Sequence, residues 1–134
     1  LAVDKHCYMI DAKQAHCKKL KLAFMEEMRK DFDADNYMIV SPANSLHSIT
    51  CICFKNVEGE IIQSMLNDKG IYVATGAACN SGDMNASAAL AFMRIPEDYI
   101  RGEIRLSYTL DNTIEEMIQT AKALKSVYKD LTNF

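Results

Sequence analysis

"ITCICFKNVEGEIIQSMLNDKGIYVAT", residues 49–75, decides the fold class. "ITCICF" (49–54) is β-branched, alternating and apolar on both faces, the pattern of a strand covered on two sides. "EGEIIQSMLNDKG" (58–70) changes period: Ile61, Ile62, Met65 and Leu66 fall on one helical face, and Gly70 takes the stop position. "IYVAT" (71–75) then predicts a second strand. Strand, helix and strand within 27 residues require a sheet with a helix laid on it.

Working outward, residues 5–31 predict a long first helix in which Ile10, Cys17, Leu20, Phe24 and Met28 recur at helical spacing. "DFDADN" (31–36) is a polar break, "YMIVS" (37–41) a short strand, and "PANSLHS" (42–48) a loop. Beyond the central stretch, "ASAALAFMR" (86–94) predicts a short helix ending before Pro96. "EIRLSYT" (103–109) alternates, with Ile104, Leu106 and Tyr108 on one face and Glu103, Arg105, Ser107 and Thr109 on the other. The last helix starts at "DNTIEE", where Asn112 or Thr113 can cap it and Glu115 or Glu116 can complete a capping box. Its apolar stripe is Ile114, Met117, Ile118, Ala121, Leu124 and Tyr128. The expected fold is α+β: one domain over 1–134, a small antiparallel or mixed sheet packed against helices.

At 134 residues such a domain buries a core without disulfides. A net charge of −3 offers no basic surface to nucleic acid or an anionic membrane. No apolar run approaches the ~20 residues of a membrane span. Five cysteines are an odd count with no framework spacing, which predicts reduced thiols and a cytoplasmic setting. The sequence opens without Met and enters helical pattern at once, which predicts a segment of a longer chain.

Cys79 stands in "YVATGAACNSGD" (72–83), among small residues that leave a thiol reachable and its backbone free to turn. A thiol attacks as thiolate, so a nucleophilic cysteine must be accessible and able to lose its proton. Local sequence alone equally allows a free cysteine in an ordinary strand-to-helix turn. Arg105 lies mid-strand on a polar face, where its planar fork suits a carboxylate; a salt-bridged surface arginine fits the same pattern. Cys51 and Cys53 share one strand face, but without a second such pair they read as small core hydrophobes rather than half a metal site. The His6-Cys7 and His16-Cys17 pairs are ten residues apart, not at the four-residue spacing of helical metal ligands, and His47 gains no role from its spacing. No metal site is expected.

The order of these pieces resembles the C-terminal portion of class-V, fold-type-I pyridoxal-phosphate enzymes, more narrowly the cysteine desulfurases of the NifS/IscS kind. "FKNVEGE" (54–60), "GIYVATGAACNSG" (70–82), "IRLS" (104–107) and "NTIEE" (112–116) match that family's motifs in order and spacing. The chain departs from the pattern at Ala77, at "NASA" (85–88, including Ala88), and at Thr109 and Leu110.

The resemblance implies that Cys79 is the catalytic thiol. It would attack the sulfur of cysteine held on the cofactor, become a persulfide as alanine leaves, and carry the sulfur onward. It implies that Arg105 grips the substrate carboxylate; because Arg105 lies on the polar face of its strand, an Arg105→Ala change should alter stability only as a surface substitution does. The implied cofactor is pyridoxal 5'-phosphate in the parent enzyme, not on this segment, because no lysine here matches the family's Schiff-base lysine. Implied partners are a large cofactor-binding domain of the same parent chain, a second subunit in a homodimer, and a sulfur-acceptor protein of iron–sulfur or thio-cofactor biosynthesis. A selenocysteine lyase, a sulfinate desulfinase and an aminotransferase share the fold, and a stand-alone sulfur-carrier module remains a reading from another class. Cys79 disfavours a plain aminotransferase, which needs no loop thiol.

Overall fold

The structure is a computed structural model that describes residues 2–40, 49–75 and 94–132, with side chains from residue 11 onward. The expected loop at 42–48 (with His47), the Cys79 loop and most of the helix at 86–94 lie outside the described residues, as do the side chains of His6, Cys7 and Ile10.

Helix α1 spans Ala2–Arg29, and a 3-10 turn at Ala34–Asn36 leads into strand β1, Tyr37–Ile39. Strand β2 is Ile49–Phe54 and helix α2 is Gly59–Asp68. A short helix α3, Glu97–Ile100, precedes strand β3, Glu103–Ser107, and helix α4, Ile114–Thr132. The three strands form an antiparallel sheet in the order β1-β2-β3, which decides between the antiparallel and mixed alternatives for the described residues.

Register gives the sheet two unlike faces. Thr50, Ile52 and Phe54 of β2 lie beside Ile104, Leu106 and Tyr108 and meet α1, α2 and α4 in the main core. Cys17, Leu20, Phe24 and Met28 of α1 are fully buried there, as their spacing predicts. The opposite face carries Cys51 and Cys53 of β2 and is covered by a smaller apolar cluster with Met38, Val40, Ile95, Tyr99 and Ile100. Both faces of β2 are therefore covered, in keeping with its apolar alternation. Ile49, at the strand's end, is exposed.

The helix ends follow the chemistry of their sequences. Gly70 has φ +80°, a left-handed conformation that glycine adopts without penalty. It lets the Ile71 N–H reach the Leu66 carbonyl at 2.9 Å and the Gly70 N–H reach Asn67 at 3.0 Å, closing α2 in a Schellman motif. At the start of α4, Thr113 Oγ1 accepts from the Glu116 N–H at 3.1 Å, and Glu116 Oε1 accepts from the Thr113 N–H at 3.1 Å. The capping box is Thr113 with Glu116.

Four expectations need correction. "IYVAT" does not form a strand; its one bridge pairs Ala74 with Arg105, while Gln63 Nε2 donates to the Val73 carbonyl at 2.8 Å and takes the acceptor a ladder would use. Ile61 and Ile114 lie at the edges of their helical stripes and are exposed. Helix α1 ends at Arg29, two residues early, and the chain leaves it through Asp31 at φ +52°. Glu103, assigned to the polar face of its strand, is 2% exposed.

Lys125 is buried on α4, which helical spacing alone does not explain. Its Nζ donates to the carbonyls of Glu27 (2.5 Å) and Lys30 (3.0 Å), closing carbonyls at the C-terminal end of α1. It also pairs with Glu27 Oε1 at 3.4 Å. Burial pushes the Glu27 carboxyl up, but Lys30 and Lys125 more than offset this and hold it below its ordinary value.

Gly59, the glycine of the VEGE stretch, opens α2 where it passes β3. A Cβ there would stand 2.5 Å from the Glu103 carbonyl oxygen and 2.5 Å from Thr75 Oγ1. The Gly59 N–H donates to the Arg101 carbonyl at 2.7 Å, so the two segments cannot separate without losing that bond. Gly59→Ala should destabilise the domain by about 1–3 kcal/mol, the usual cost of overpacking, read as a lowered denaturant midpoint. An unchanged midpoint would show that α2 shifts without cost.

Candidate functional site

The chemistry-bearing residues described here gather on the β3 side of the smaller cluster. Arg105 stands in the middle of β3, directly opposite Cys51 on β2. Its backbone pairs on the other edge with Ala74: the Arg105 N–H donates to the Ala74 carbonyl at 2.8 Å, and the Ala74 N–H donates back at 3.2 Å. The segment carrying Cys79 begins just beyond that bridge in sequence.

Arg105 Nε donates to Glu103 Oε1 at 2.7 Å. The two side chains differ sharply in exposure: 46% for the arginine and 3% for the glutamate. Residues i and i+2 of a strand share a face, so the pair forms along β3 itself. Glu103 also lies diagonally across from Cys51, whose Sγ donates to the same Oε1 at 3.5 Å. The salt-bridged reading of Arg105 therefore holds for its Nε edge, and its partner is a buried carboxylate.

The Cys51 thiol is pushed far above its ordinary range, first by its hydrogen bond with Cys53, then by burial and by the charge of Glu103. It stays protonated near neutrality. Cys53 and Cys17 are fully buried, and the Cys17 thiol lies 4.0 Å from the Tyr108 carbonyl oxygen. Burial supports the reading of Cys53 as a small core hydrophobe, whereas half-buried Cys51 is a polar contact of Glu103. His16 Nε2 lies 2.8 Å from the Asn112 carbonyl oxygen and ties α1 to the approach of α4. No three His, Cys, Asp or Glu residues are grouped to hold a metal ion among the described residues. Nor is any described helix long and apolar enough to cross a membrane.

Sequence reasoning singled out Arg105 as a candidate and missed its ion pair with Glu103. The signal was available: an acid and a base two apart on a strand whose neighbour carries Cys51 and Cys53 toward the same face. The structure brings Arg105, Glu103 and Cys51 together, whereas Cys79 lies outside the described residues. Three thiols are thus protected, and limiting alkylation of the folded chain should label Cys79 well before Cys17, Cys51 or Cys53. Peptide mapping reads the order, and early labelling of Cys51 or Cys53 would contradict the cover over that face.

The profile of the family described as aminotransferase class-V matches residues 5–119. The chain is 34% identical over 92 residues to the cysteine desulfurase IscS of Methanosarcina thermophila, covering 69% of this chain and 23% of that one. It is 33% identical over 92 residues to the cysteine desulfurase NifS of Azotobacter vinelandii, with the same two coverages of 69% and 23%. It is 38% identical over 81 residues to cysteine desulfurase 2 of Trichormus variabilis, covering 58% of this chain and 20% of the relative. The chain thus spans between a fifth and a quarter of these relatives' length. Among solved structures, a NifS-like protein aligns over 92% of this chain and 29% of its own, with a TM-score of 0.67 at 24% identity. The NifS-like protein of Rickettsia africae aligns over 88% of this chain and 29% of its own, with a TM-score of 0.70 at 22% identity. At such identities these two show a shared fold.

Proposed function

Because this chain belongs to the aminotransferase class-V family and is NifS/IscS-like within it, we propose that it is the small domain of a pyridoxal-phosphate-dependent cysteine desulfurase. Cys79 is the thiol that takes sulfur from L-cysteine as a persulfide, with L-alanine released. Arg105 receives the substrate carboxylate. The sulfur then passes to an acceptor protein that serves iron–sulfur cluster or thio-cofactor assembly.

The bridge between Ala74 and Arg105 is the observation that best supports this reading. Cys79 follows Ala74 by five residues, a tether no longer than about 18 Å. A carboxylate clamp and a nucleophile for one small amino acid must work within such a distance, and the clamp residue anchors the segment that carries the nucleophile. Exposure agrees with the role: Arg105 is half open while Glu103 beside it is closed from solvent.

The family implies pyridoxal 5'-phosphate, which needs a lysine to hold it covalently. The lysine buried among the described residues is Lys125, and its ammonium is committed to the carbonyls of Glu27 and Lys30. The described residues therefore do not fit the cofactor's attachment. In this reading the cofactor sits on a large domain of the same enzyme, which is a cytoplasmic homodimer.

The test uses an enzyme of the relatives' full length that contains this chain. After L-cysteine is supplied without an acceptor, the Cys79 peptide should gain the mass of one sulfur while alanine accumulates. Keto-acid formation with no sulfur on Cys79 would favour an aminotransferase instead.

A further inference from the structure

We propose that Gln63 is a positioning residue for the nucleophile: it fixes the peptide group between Val73 and Ala74, and so sets the direction in which the chain leaves Ala74 toward Cys79. The proposal rests on the reading of Cys79 as the thiol that takes the sulfur.

That peptide group is gripped at both ends, by different elements. Its carbonyl accepts from Gln63 Nε2 of α2 at 2.8 Å. Its N–H donates to the Arg105 carbonyl of β3 at 3.2 Å. Turning the peptide over would break both bonds at once. The next peptide continues from this orientation, with the Ala74 carbonyl accepting the Arg105 N–H at 2.8 Å. Gln63 is half-buried on α2, beside Ile62 and Leu66, which the helix turns into the core. The same helix holds the segment two residues earlier, where the Ile71 N–H reaches the Leu66 carbonyl. The Ala74 side chain is exposed, so packing does little to hold that end of the peptide.

Cys79 follows Ala74 by five residues. A turn of about 20° at the base of a tether up to about 18 Å long carries its far end by up to about 6 Å. A misplacement of about 1 Å can cost a step between two reacting atoms about a hundredfold. Gln63 touches no reacting atom in this account; it biases the orientations open to one peptide. One ordinary hydrogen bond shifts such a population about fivefold. The loss falls on sulfur transfer and leaves the affinity for L-cysteine, assigned to the Arg105 side chain, in place.

In the full-length enzyme, Gln63→Leu should slow single-turnover loading of sulfur onto Cys79 about fivefold, with KM for L-cysteine within about twofold. Gln63→Glu keeps the shape but sets a carboxylate against the Val73 carbonyl, and should lose at least as much. Gln63→Lys keeps a donor of sufficient reach and should restore most of the rate. A second readout needs no turnover: in the 15N-labelled 134-residue chain, the Ala74 amide should exchange with solvent about fivefold faster in the Leu and Glu proteins. The Ile52 amide, at the centre of the sheet, should exchange as in the wild type, and the Lys protein should resemble the wild type at both. Wild-type loading in the Leu and Glu proteins would overturn the proposal, as would a loss confined to KM or a Lys protein no better than Leu. Equal acceleration at Ala74 and Ile52 would also overturn it, because Gln63 would then support only the stability of the domain. If Cys79→Ser still loads sulfur, the nucleophile reading fails and takes this proposal with it.

Discussion

Replacing Cys79 by serine is expected to abolish sulfur transfer in the full-length enzyme while leaving cysteine binding in place. The step requires a nucleophile that attacks sulfur, and a thiolate forms readily from a thiol of ordinary pKa ~8.5. A serine hydroxyl has nearly the same size but stays protonated at neutral pH and is a poor nucleophile toward sulfur. The three described thiols cannot substitute. Cys17 and Cys53 are fully buried, and Cys51 is held protonated beside Cys53 and Glu103. Protein-bound sulfane sulfur and alanine are the two quantities to measure, and both should fall to background together. A Cys79→Ser enzyme that still loads sulfur would move the role to a thiol elsewhere, with Cys7→Ser as the next protein to make.

What the sequence disclosed about this fold follows the range of the forces involved. Local signals were legible: the α1 stripe from Cys17 to Met28, the Schellman end at Gly70, and the Thr113–Glu116 box each depend on residues a few positions apart. The two-sided burial of β2 was legible too, because its alternation leaves no polar face. Features set by distant segments were not. The sequence of β3 places Glu103 on a polar face, yet the structure buries it, on the side of the sheet where Ile95, Tyr99 and Ile100 pack against Cys51 and Cys53. Lys125 sits on the buried side of α4 because the C-terminal end of α1, nearly a hundred residues earlier, brings carbonyls to its ammonium. "IYVAT" has every local mark of a strand, yet a glutamine side chain on α2 takes one of its carbonyls and Tyr72 turns to solvent. The site divides in the same way. Cys79 and Arg105 came from motif order, whereas the partner of Arg105 could be found only by closing the second face.

That partner changes what Arg105→Ala should do. A surface substitution would shift stability by no more than about 0.5 kcal/mol, which is the expectation from the sequence. Here the lost cation leaves a carboxylate that is 3% exposed with the weak Cys51 thiol as a hydrogen-bond donor. Stranding a buried acceptor costs about 1–3 kcal/mol, and more when it is charged and stays dry. The lower part of that range applies, because the space vacated by a half-exposed arginine admits water to Glu103. The activity effect should be larger. Charge-assisted hydrogen bonds to a substrate carboxylate are worth ~1.5–3 kcal/mol, equivalent to roughly ten- to hundredfold in kcat/KM for L-cysteine. Arg105→Lys keeps the charge but not the fork, so it should recover only part of the activity. The two losses separate cleanly: denaturant unfolding of the 134-residue chain reads stability, and initial rates well below the melting temperature read catalysis. Arg105→Ala with normal kcat/KM and lowered stability would make Arg105 a structural counter-ion for Glu103 and nothing more. A large fall in kcat/KM with a small change in stability would support the reading of Arg105 as the carboxylate clamp.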